Sequence, residues 1–388
     1  MKPVRPGPQP SLRILVAPDK FKGTLSAPDA ARAIAQGWRQ ARPHDRLHPF
    51  PISDGGDGFG ALLARHLGAV RYVVRTVDAA HRPLQAVWWF DPRRRLAIIE
   101  AARVIGLAML PPGRFHPFTL DTAGLAAVLR AAARRNARAC LVGIGGSATN
   151  DAGFGLAHAL GWQFLDAQDT PITQWTDLWR LHRITPPNPP LRLPPIRVAV
   201  DVQNPLLGPS GATRVYGPQK GMRPDDTPAA ERCLRQLARV IDRQLHPSHP
   251  CHTRPGAGAA GGLGFAFAAF TRARLVPGFD LFARLTHLPR HIRNVSLVLT
   301  GEGAIDRTTL TMGKGVGQLA RLAQTLGRPC IALAGRTSVV LRRTDPFHRV
   351  FAITPSLTSA AQAMAEPTRW LHKLARHAAV AWTHAAPH

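Results

Sequence analysis

Apolar residues along this chain fall into short continuous runs separated by longer stretches with helical spacing. The run Leu12–Ala17 (LRILVA) predicts a buried strand, and residues 26–41 predict a helix that opens at a Ser cap. A short strand near 46–50, a glycine-rich loop and a helix over 58–67 follow. That order, β-α-β-α, opens a parallel-sheet α/β domain. The middle changes character. Leu84–Phe90, the turn 91–95 (DPRRR) and Leu96–Ala101 predict a β-hairpin. A helix over 120–135, a strand over 139–144, a proline-rich excursion at 185–195 and a strand over 196–200 come next. Hairpin pairing mixed with helices predicts an α+β unit. The last quarter returns to alternation: a strand at 295–300, a helix at 314–326, strands at 330–334 and 350–354, then further helix. The pattern therefore predicts one doubly wound α/β domain, built from 12–70 plus 290–388, interrupted by an inserted α+β domain at 71–289. Residues 1–11 are expected to be a disordered tail. No internal repeat at solenoid periods is evident.

Composition changes this picture little. A chain of 388 residues exceeds one ordinary domain, and 45% hydrophobic content supports real cores. The formal net charge of +27 raises nucleic acid as a partner. Against that, the arginines are scattered rather than gathered in a stripe, and neither aromatic RNA-binding signatures nor zinc-finger spacings accompany them. A solvated, Arg-rich surface that draws in anionic substrates is the expectation. Cys140, Cys233, Cys251 and Cys330 form no C-x-x-C pair, which suits a reducing compartment. The N-terminal stretch has no apolar h-region. The longest uncharged run, Pro255–Thr271, is short for a bilayer span. The expectation is a cytoplasmic protein with no membrane partner; the sequence does not speak to oligomeric state.

Candidate chemistry sits in glycine-rich segments that follow predicted strands, where α/β sheets bind ligands. After the first strand comes Asp19-Lys20-Phe21-Lys22-Gly23-Thr24, whose Lys20 and Lys22 suit phosphate, although a plain β-α turn reads similarly. Ser53-Asp54-Gly55-Gly56-Asp57-Gly58 places carboxylates where glycines allow close approach to a cation or a hydroxyl, without EF-hand spacing. Gly143-Ile144-Gly145-Gly146-Ser147-Ala148-Thr149-Asn150-Asp151 can form an anion nest, in which Gly145, Gly146, Ser147, Asn150 and Asp151 are the candidates. It is neither a Walker A loop nor a Rossmann fingerprint. Asp201-Val202-Gln203-Asn204 ends an apolar strand and runs on to Tyr216-Gly217-Pro218-Gln219-Lys220-Gly221; Asp201 and Asn204 could serve a metal or a hydroxyl, or simply close an Asx turn. The fifth segment holds Glu302, Asp306, Thr309 and Lys314. The run at 256–264 (GAGAAGGLG) reads equally as close-packed backbone or as ligand contact.

The lysines sharpen this reading. The chain has 44 arginines and only six lysines, yet Lys20, Lys22, Lys220 and Lys314 all lie in these segments. A compact ammonium is favoured where a planar guanidinium fork does not fit, as at phosphates held by point charge.

Six colinear stretches resemble the glycerate kinase family of the bacterial glycerate 2-kinase type. They are 18–27 (PDKFKGTLSA), 53–59 (SDGGDGF), 143–155 (GIGGSATNDAGFG), 201–221 (DVQNPLLGPSGATRVYGPQKG), 258–266 (GAAGGLGFA) and 300–310 (TGEGAIDRTTL). Ala152 departs from the pattern, where the family usually has glycine, and so do the neighbours of Lys314. The resemblance implies a flavodoxin-like domain interrupted by an α+β domain, with ATP as co-substrate, Mg²⁺, D-glycerate as acceptor and 2-phosphoglycerate as product. Asp54, Asp201 and Glu302 are the candidates for base or metal ligand, with Asp201 and Glu302 put forward for the metal. Lys20, Lys22, Lys220 and Lys314 would neutralise charge. Gly145, Gly146, Ser147, Asn150, Asp151, Asn204 and Asp306 would hold substrate or phosphate. The rival readings are a kinase for another small hydroxy acid, a basic nucleic-acid-binding protein and a dinucleotide oxidoreductase.

Overall fold

A computed structural model describes residues 11–21, 23–311 and 315–383. All of the expected tail except Ser11 therefore lies outside the described residues. The strands, in chain order, are β1 (Arg13–Val16), β2 (Arg46–Pro49), β3 (Val70–Val77), β4 (Pro83–Asp91), β5 (Leu96–Glu100) and β6 (Ala139–Gly143). They continue with β7 (Gln163–Leu165), β8 (Arg183–Thr185), β9 (Ile196–Val200) and β10 (Arg274–Pro277). The last are β11 (Leu297–Ile305), β12 (Cys330–Thr337) and β13 (Arg349–Thr354). Two compact units emerge: residues 1–53 with 282–388, and residues 54–281.

The first unit is a five-stranded sheet in the order β13-β12-β11-β1-β2, with every neighbouring pair parallel. Counted along this unit, the order is 2-1-3-4-5, the flavodoxin-like arrangement. Burial of Ile14–Val16 in β1 and of Cys330–Ala334 in β12 explains the apolar runs that marked them in the sequence. The helix Ala27–Ala41 starts at Ser26, whose hydroxyl accepts from the Asp29 N–H. Its inward stripe of Ala30, Ile34 and Trp38 joins the core of Ile14, Val16, Leu297 and Leu299. Where this helix ends, a buried charge pair ties it to β1. Asp45 accepts from Trp38 Nε1 at 2.9 Å, from Arg42 Nε at 2.6 Å and from the Leu12 N–H at 3.0 Å.

The second unit is built on a six-stranded mixed sheet in the order β10-β9-β6-β5-β4-β3. The expected hairpin is present, β4 antiparallel to β5, and β3 joins it antiparallel on the outside. From β5 onward the neighbours β6, β9 and β10 run parallel. The sequence pattern had not predicted β3, β7, β8 or β10, and the helix expected at 120–135 is shorter, Leu125–Arg134. The division at 53/54 also falls earlier than the expected one near 70. The helix Phe59–Leu67 buries Phe59, Gly60 and Leu63, and Gly60 lies against Trp89 of β4 and Glu100 of β5, so this helix belongs with the second unit's sheet.

Ala152 is held in the left-handed region at φ 48° and is fully buried, with its methyl against Gly262. Left-handed backbone costs an L-residue about 1–2 kcal/mol, and a buried methyl returns about 0.8 kcal/mol. Ala152→Gly should therefore change stability by less than about 1 kcal/mol, since relief of strain offsets the lost methyl and the added chain entropy. Asp45→Ala should lower it by about 3 kcal/mol, because it leaves Arg42 buried without its carboxylate. Urea denaturation of both variants checks the contrast; equal midpoints would refute it.

Candidate active site

In the first unit, β1 and β11 are neighbours from which the chain departs toward opposite edges of the sheet, and such a switch point is where these folds bind ligands. The Asp19 N–H donates to Gly301 O at 2.9 Å, and Thr300 Oγ1 donates to Ala17 O at 2.8 Å, so the two strand exits are stitched together. Asp19, Lys20 and Glu302 leave from this point. The Asp19 carboxylate accepts from the Lys20 N–H at 2.7 Å, and Glu302 Oε1 accepts from Thr309 Oγ1 at 3.1 Å. Asp306 takes a capping role: its Oδ1 accepts from the Thr309 N–H at 3.0 Å, at the start of the short helix Arg307–Thr311. Lys22 and Lys314 lie outside the described residues.

In the second unit, β5, β6, β9 and β10 end at one edge, and the loops that follow pack backbone against backbone. The Gly145 N–H donates to Gly55 O at 3.3 Å. A Cβ at Gly145 would stand 2.6 Å from Gly56 Cα, and one at Gly146 (φ +78°) would collide with the Asp57 carboxylate. Asp54 sits in this weave, its Oδ1 accepting from the Gly56 N–H at 3.3 Å and its carbonyl pressed against Gly278, next after β10.

Beneath lies a buried polar cluster made by the loop after β6. Ser147 is 4% exposed, and Thr149, Asn150 and Asp151 are fully buried. Lys220, itself buried, donates through Nζ to Ser147 Oγ at 3.0 Å and to Thr149 O at 2.6 Å. Asp151 Oδ2 accepts from Thr122 Oγ1 at 2.7 Å and from the Thr122 and Gly155 N–H groups at 3.0 Å each. Asn150 Nδ2 donates to Thr213 Oγ1 at 3.0 Å. Burial lowers the pKa of Lys220 to about 7, and the Asp151 charge acts in the opposite direction. Burial, assisted by the charge of Asp121, raises Asp151 to about 6, against the hydrogen bonds from Thr122 and Gly155. Asn150 Oδ1 and Thr149 Oγ1 are buried with no hydrogen-bond partner among the described residues. An unmade buried hydrogen bond costs about 1–3 kcal/mol, so this cluster favours a ligand that brings polar atoms.

Asp201 follows β9 and is exposed. Its charge, after burial, helps to push the Tyr216 hydroxyl up to about 12. Tyr216 Oη donates to Asn204 Oδ1 at 2.6 Å, and Asn204 Nδ2 donates to Ser210 O at 2.7 Å. Both ends of the Asn204 amide thus close the loop. The run 256–264 acts as a buttress: the Ala152 N–H donates to Gly261 O at 3.0 Å, and the Gly258 N–H to Asn204 O at 2.9 Å. The structure therefore brings Asp54, Gly145, Gly146, Ser147, Asn150, Asp151, Asp201, Asn204 and Lys220 to the second unit, and Lys20, Glu302 and Asp306 to the first. Sequence reasoning missed Thr122, Thr213 and Tyr216. Thr213 and Tyr216 lie inside the segment 201–221, and Tyr216 is one of only two tyrosines in the chain, a signal that could have singled it out.

Residues 14–383 match the glycerate kinase family. A glycerate kinase of Halalkalibacterium halodurans is 34% identical over 372 residues, covering 95% of this chain and 97% of its own. The glycerate 2-kinase of Escherichia coli K12 is 35% identical over 332 residues, 84% of this chain and 85% of its own. A crystal structure from Salmonella typhimurium LT2, named provisionally as glycerate kinase 2, superposes with a TM-score of 0.77 at 31% identity, covering 96% of this chain and 99% of that one. These matches run through both units and every motif segment, so the chain belongs to the glycerate kinase family and is an enzyme of that kind.

Proposed function

We propose that the protein transfers the γ-phosphoryl group of ATP to the C2 hydroxyl of D-glycerate, giving ADP and 2-phosphoglycerate. The observation that carries this reading is the buried Lys220–Ser147–Asp151 cluster in the unit that also holds Asp201, just after β9, and Asp54, whose backbone lies against Gly278 just after β10. A small hydroxy acid brings a carboxylate, for which a cationic, donor-rich floor is suited. An ammonium only donates, so Ser147 Oγ accepts from Lys220 and its own proton is directed elsewhere, toward a substrate oxygen. The relative named glycerate 2-kinase supports the C2 position.

Phosphoryl transfer is mostly positioning and charge neutralisation. The acceptor oxygen forms a bond to the γ-phosphorus, the bond to the β–γ bridging oxygen breaks, and ADP departs with that electron pair. Asp54, held in the interlocked loop, is the proposed acceptor of the hydroxyl proton. Lys20, at the switch point of the first unit, is proposed to neutralise phosphate charge, with Lys22 and Lys314 in the same role. The donors on offer are hard carboxylate oxygens, which fit Mg²⁺. Among the described residues no group of three or more His, Cys, Asp or Glu is placed to hold a metal, and Mg²⁺ asks for only one or two carboxylates besides water and phosphate. Asp201, in the second unit, and Glu302, in the first, are each a candidate ligand for it, and the ion, when bound, would offset charge on the phosphates.

We assign the protein to the cytoplasm on its four buried free thiols. No described helix is long and apolar enough to cross a membrane.

The direct test is ADP release with D-glycerate, followed by phosphorus NMR of the product. Turnover should require Mg²⁺ and stop with EDTA, and the first product should be the 2-phosphate. Initial 3-phosphoglycerate would overturn the C2 assignment. Faster turnover of another hydroxy acid would favour the rival kinase.

Lys220 supplies a second test. Its folded pKa of about 7 lies below the ordinary 10.5, so between those values the unfolded chain binds a proton that the native chain releases. The Lys220 contribution to stability is therefore complete above 10.5 and is lost as pH falls toward 7. Its cationic fraction moves the other way and declines as pH rises through 7. KM for glycerate should rise above that pH, approaching about tenfold per unit, and Lys220→Met should flatten the profile. Lys220→Arg should lower kcat/KM about a hundredfold by misplacing the floor. Lys373, exposed over the Trp370 ring at 4.3 Å, supplies the control Lys373→Arg, which should change nothing. A wild-type KM that stays flat between pH 6 and pH 9 refutes the role of Lys220 charge.

A further inference from the structure

We propose that Glu100, which no family motif marked, is a positioning residue that fixes the loop carrying Asp54; this rests on the reading of Asp54 as part of the reaction site. The helix Phe59–Leu67 begins in a segment unable to cap itself. Gly58 occupies the N-cap position at φ +89° and offers no side-chain oxygen. The first N–H groups of any helix lack intrahelical partners, and a buried helix start needs them satisfied.

The missing acceptor comes from 40 residues away. Glu100 is the last residue of β5, at the same strand edge as Gly143 and Asp201, and it is 4% exposed. Its Oε1 accepts from the Gly58 N–H at 2.8 Å and its Oε2 from the Gly60 N–H at 3.2 Å. One carboxylate thus grips both sides of Phe59, four to six residues beyond Asp54. A negative charge at a helix N-terminus is further favoured by the helix dipole. Arg103 Nε approaches Oε2 at 3.4 Å, and its guanidinium lies over the Trp89 ring at 5.2 Å, so the carboxylate is braced from the sheet side as well. Gly60 is required by this grip, because a Cβ there would stand 2.7 Å from Trp89 and 3.1 Å from Glu100 Oε2.

Anchoring sets what the residue does. Glu100 has both oxygens engaged by backbone and touches no candidate substrate group, so it acts through the loop. Releasing one oxygen frees the start of the helix and, with it, the Asp54–Gly58 turn, while β5 and the core beneath are untouched. A base shifted by a fraction of an ångström loses rate in the chemical step more than it loses binding.

Glu100→Gln keeps the shape but presents an amide NH₂ to one of the two donors. It should lower kcat about tenfold, leave KM for ATP within about twofold, and speed amide hydrogen exchange across 54–60. Asp91→Asn is the stability control. Asp91 accepts from the Arg93 and Arg94 N–H groups in the hairpin turn, so this variant should lower the melting midpoint and leave kcat unchanged. Wild-type kcat in Glu100→Gln overturns the proposal, as does unchanged exchange at 54–60. A wild-type enzyme inactive on glycerate would instead count against the substrate reading, and the exchange result would still decide the anchor.

Discussion

The site depends on backbone approaching backbone with no side chain between. At the strand edge of the second unit, Gly55, Gly56, Gly145, Gly146 and Gly278 bring loops into direct contact, and the run 256–264 presses on the same loops from behind. Two consequences follow from this one constraint. The loop backbones are constrained by these contacts, so a carboxylate such as Asp54 depends on that frame for its position. The contact also leaves little room for added bulk. Ala152 illustrates the margin: an L-residue stands in left-handed backbone, its methyl against Gly262.

The interlock also explains how a charged pair survives underneath. Lys220 and Asp151 are both buried, and burial works against both charges. Each is instead hydrogen-bonded to rigid neighbours: Lys220 donates to Ser147 Oγ and Thr149 O, and Asp151 accepts from Thr122, Gly153 and Gly155. Thr122 has a double task, since its Oγ1 also accepts from the Leu156 N–H. Only a preformed backbone frame can satisfy so many groups at once, so the polar floor and the glycine weave above it form one design. The unpartnered Asn150 Oδ1 and Thr149 Oγ1 are the places where that design stays incomplete without a polar ligand.

How much of this was legible in the sequence follows from the range of the interactions. Strands buried on both faces announce themselves, so β1, β6, β9 and β12 were readable, and so was the hairpin with its polar turn. β3 was not, because it is an edge strand with half-exposed residues, and β10 is four residues leading straight into a helix. The motif residues were found because glycines mark close approach. Their division of labour was not found, because it depends on partners far away in sequence. Asn204 hydrogen-bonds within its own loop and Asp306 accepts from the Thr309 N–H, contacts that the spacing of the motifs alone did not announce. Glu100 and Thr122 gave no local signal, since each meets its partner across 29 residues or more.

The scarcity of lysine takes on a more specific meaning once Lys220 is seen in place. The sequence argument held that a compact ammonium was wanted where anions bind. Lys220 shows that compactness matters before any anion is considered. Its Nζ reaches a hydroxyl and a carbonyl within one loop, at 3.0 and 2.6 Å, inside a fully packed cluster. A guanidinium is broader, stays charged at every relevant pH and directs its donors in a plane, so it could neither fit there nor relinquish its proton on burial. The preference for lysine at this position therefore follows from the packing of the floor. Lys20 is in a different situation, half-buried at the strand switch point of the other unit. At Lys220, then, the choice of lysine is already accounted for by tight packing beneath the glycine loops.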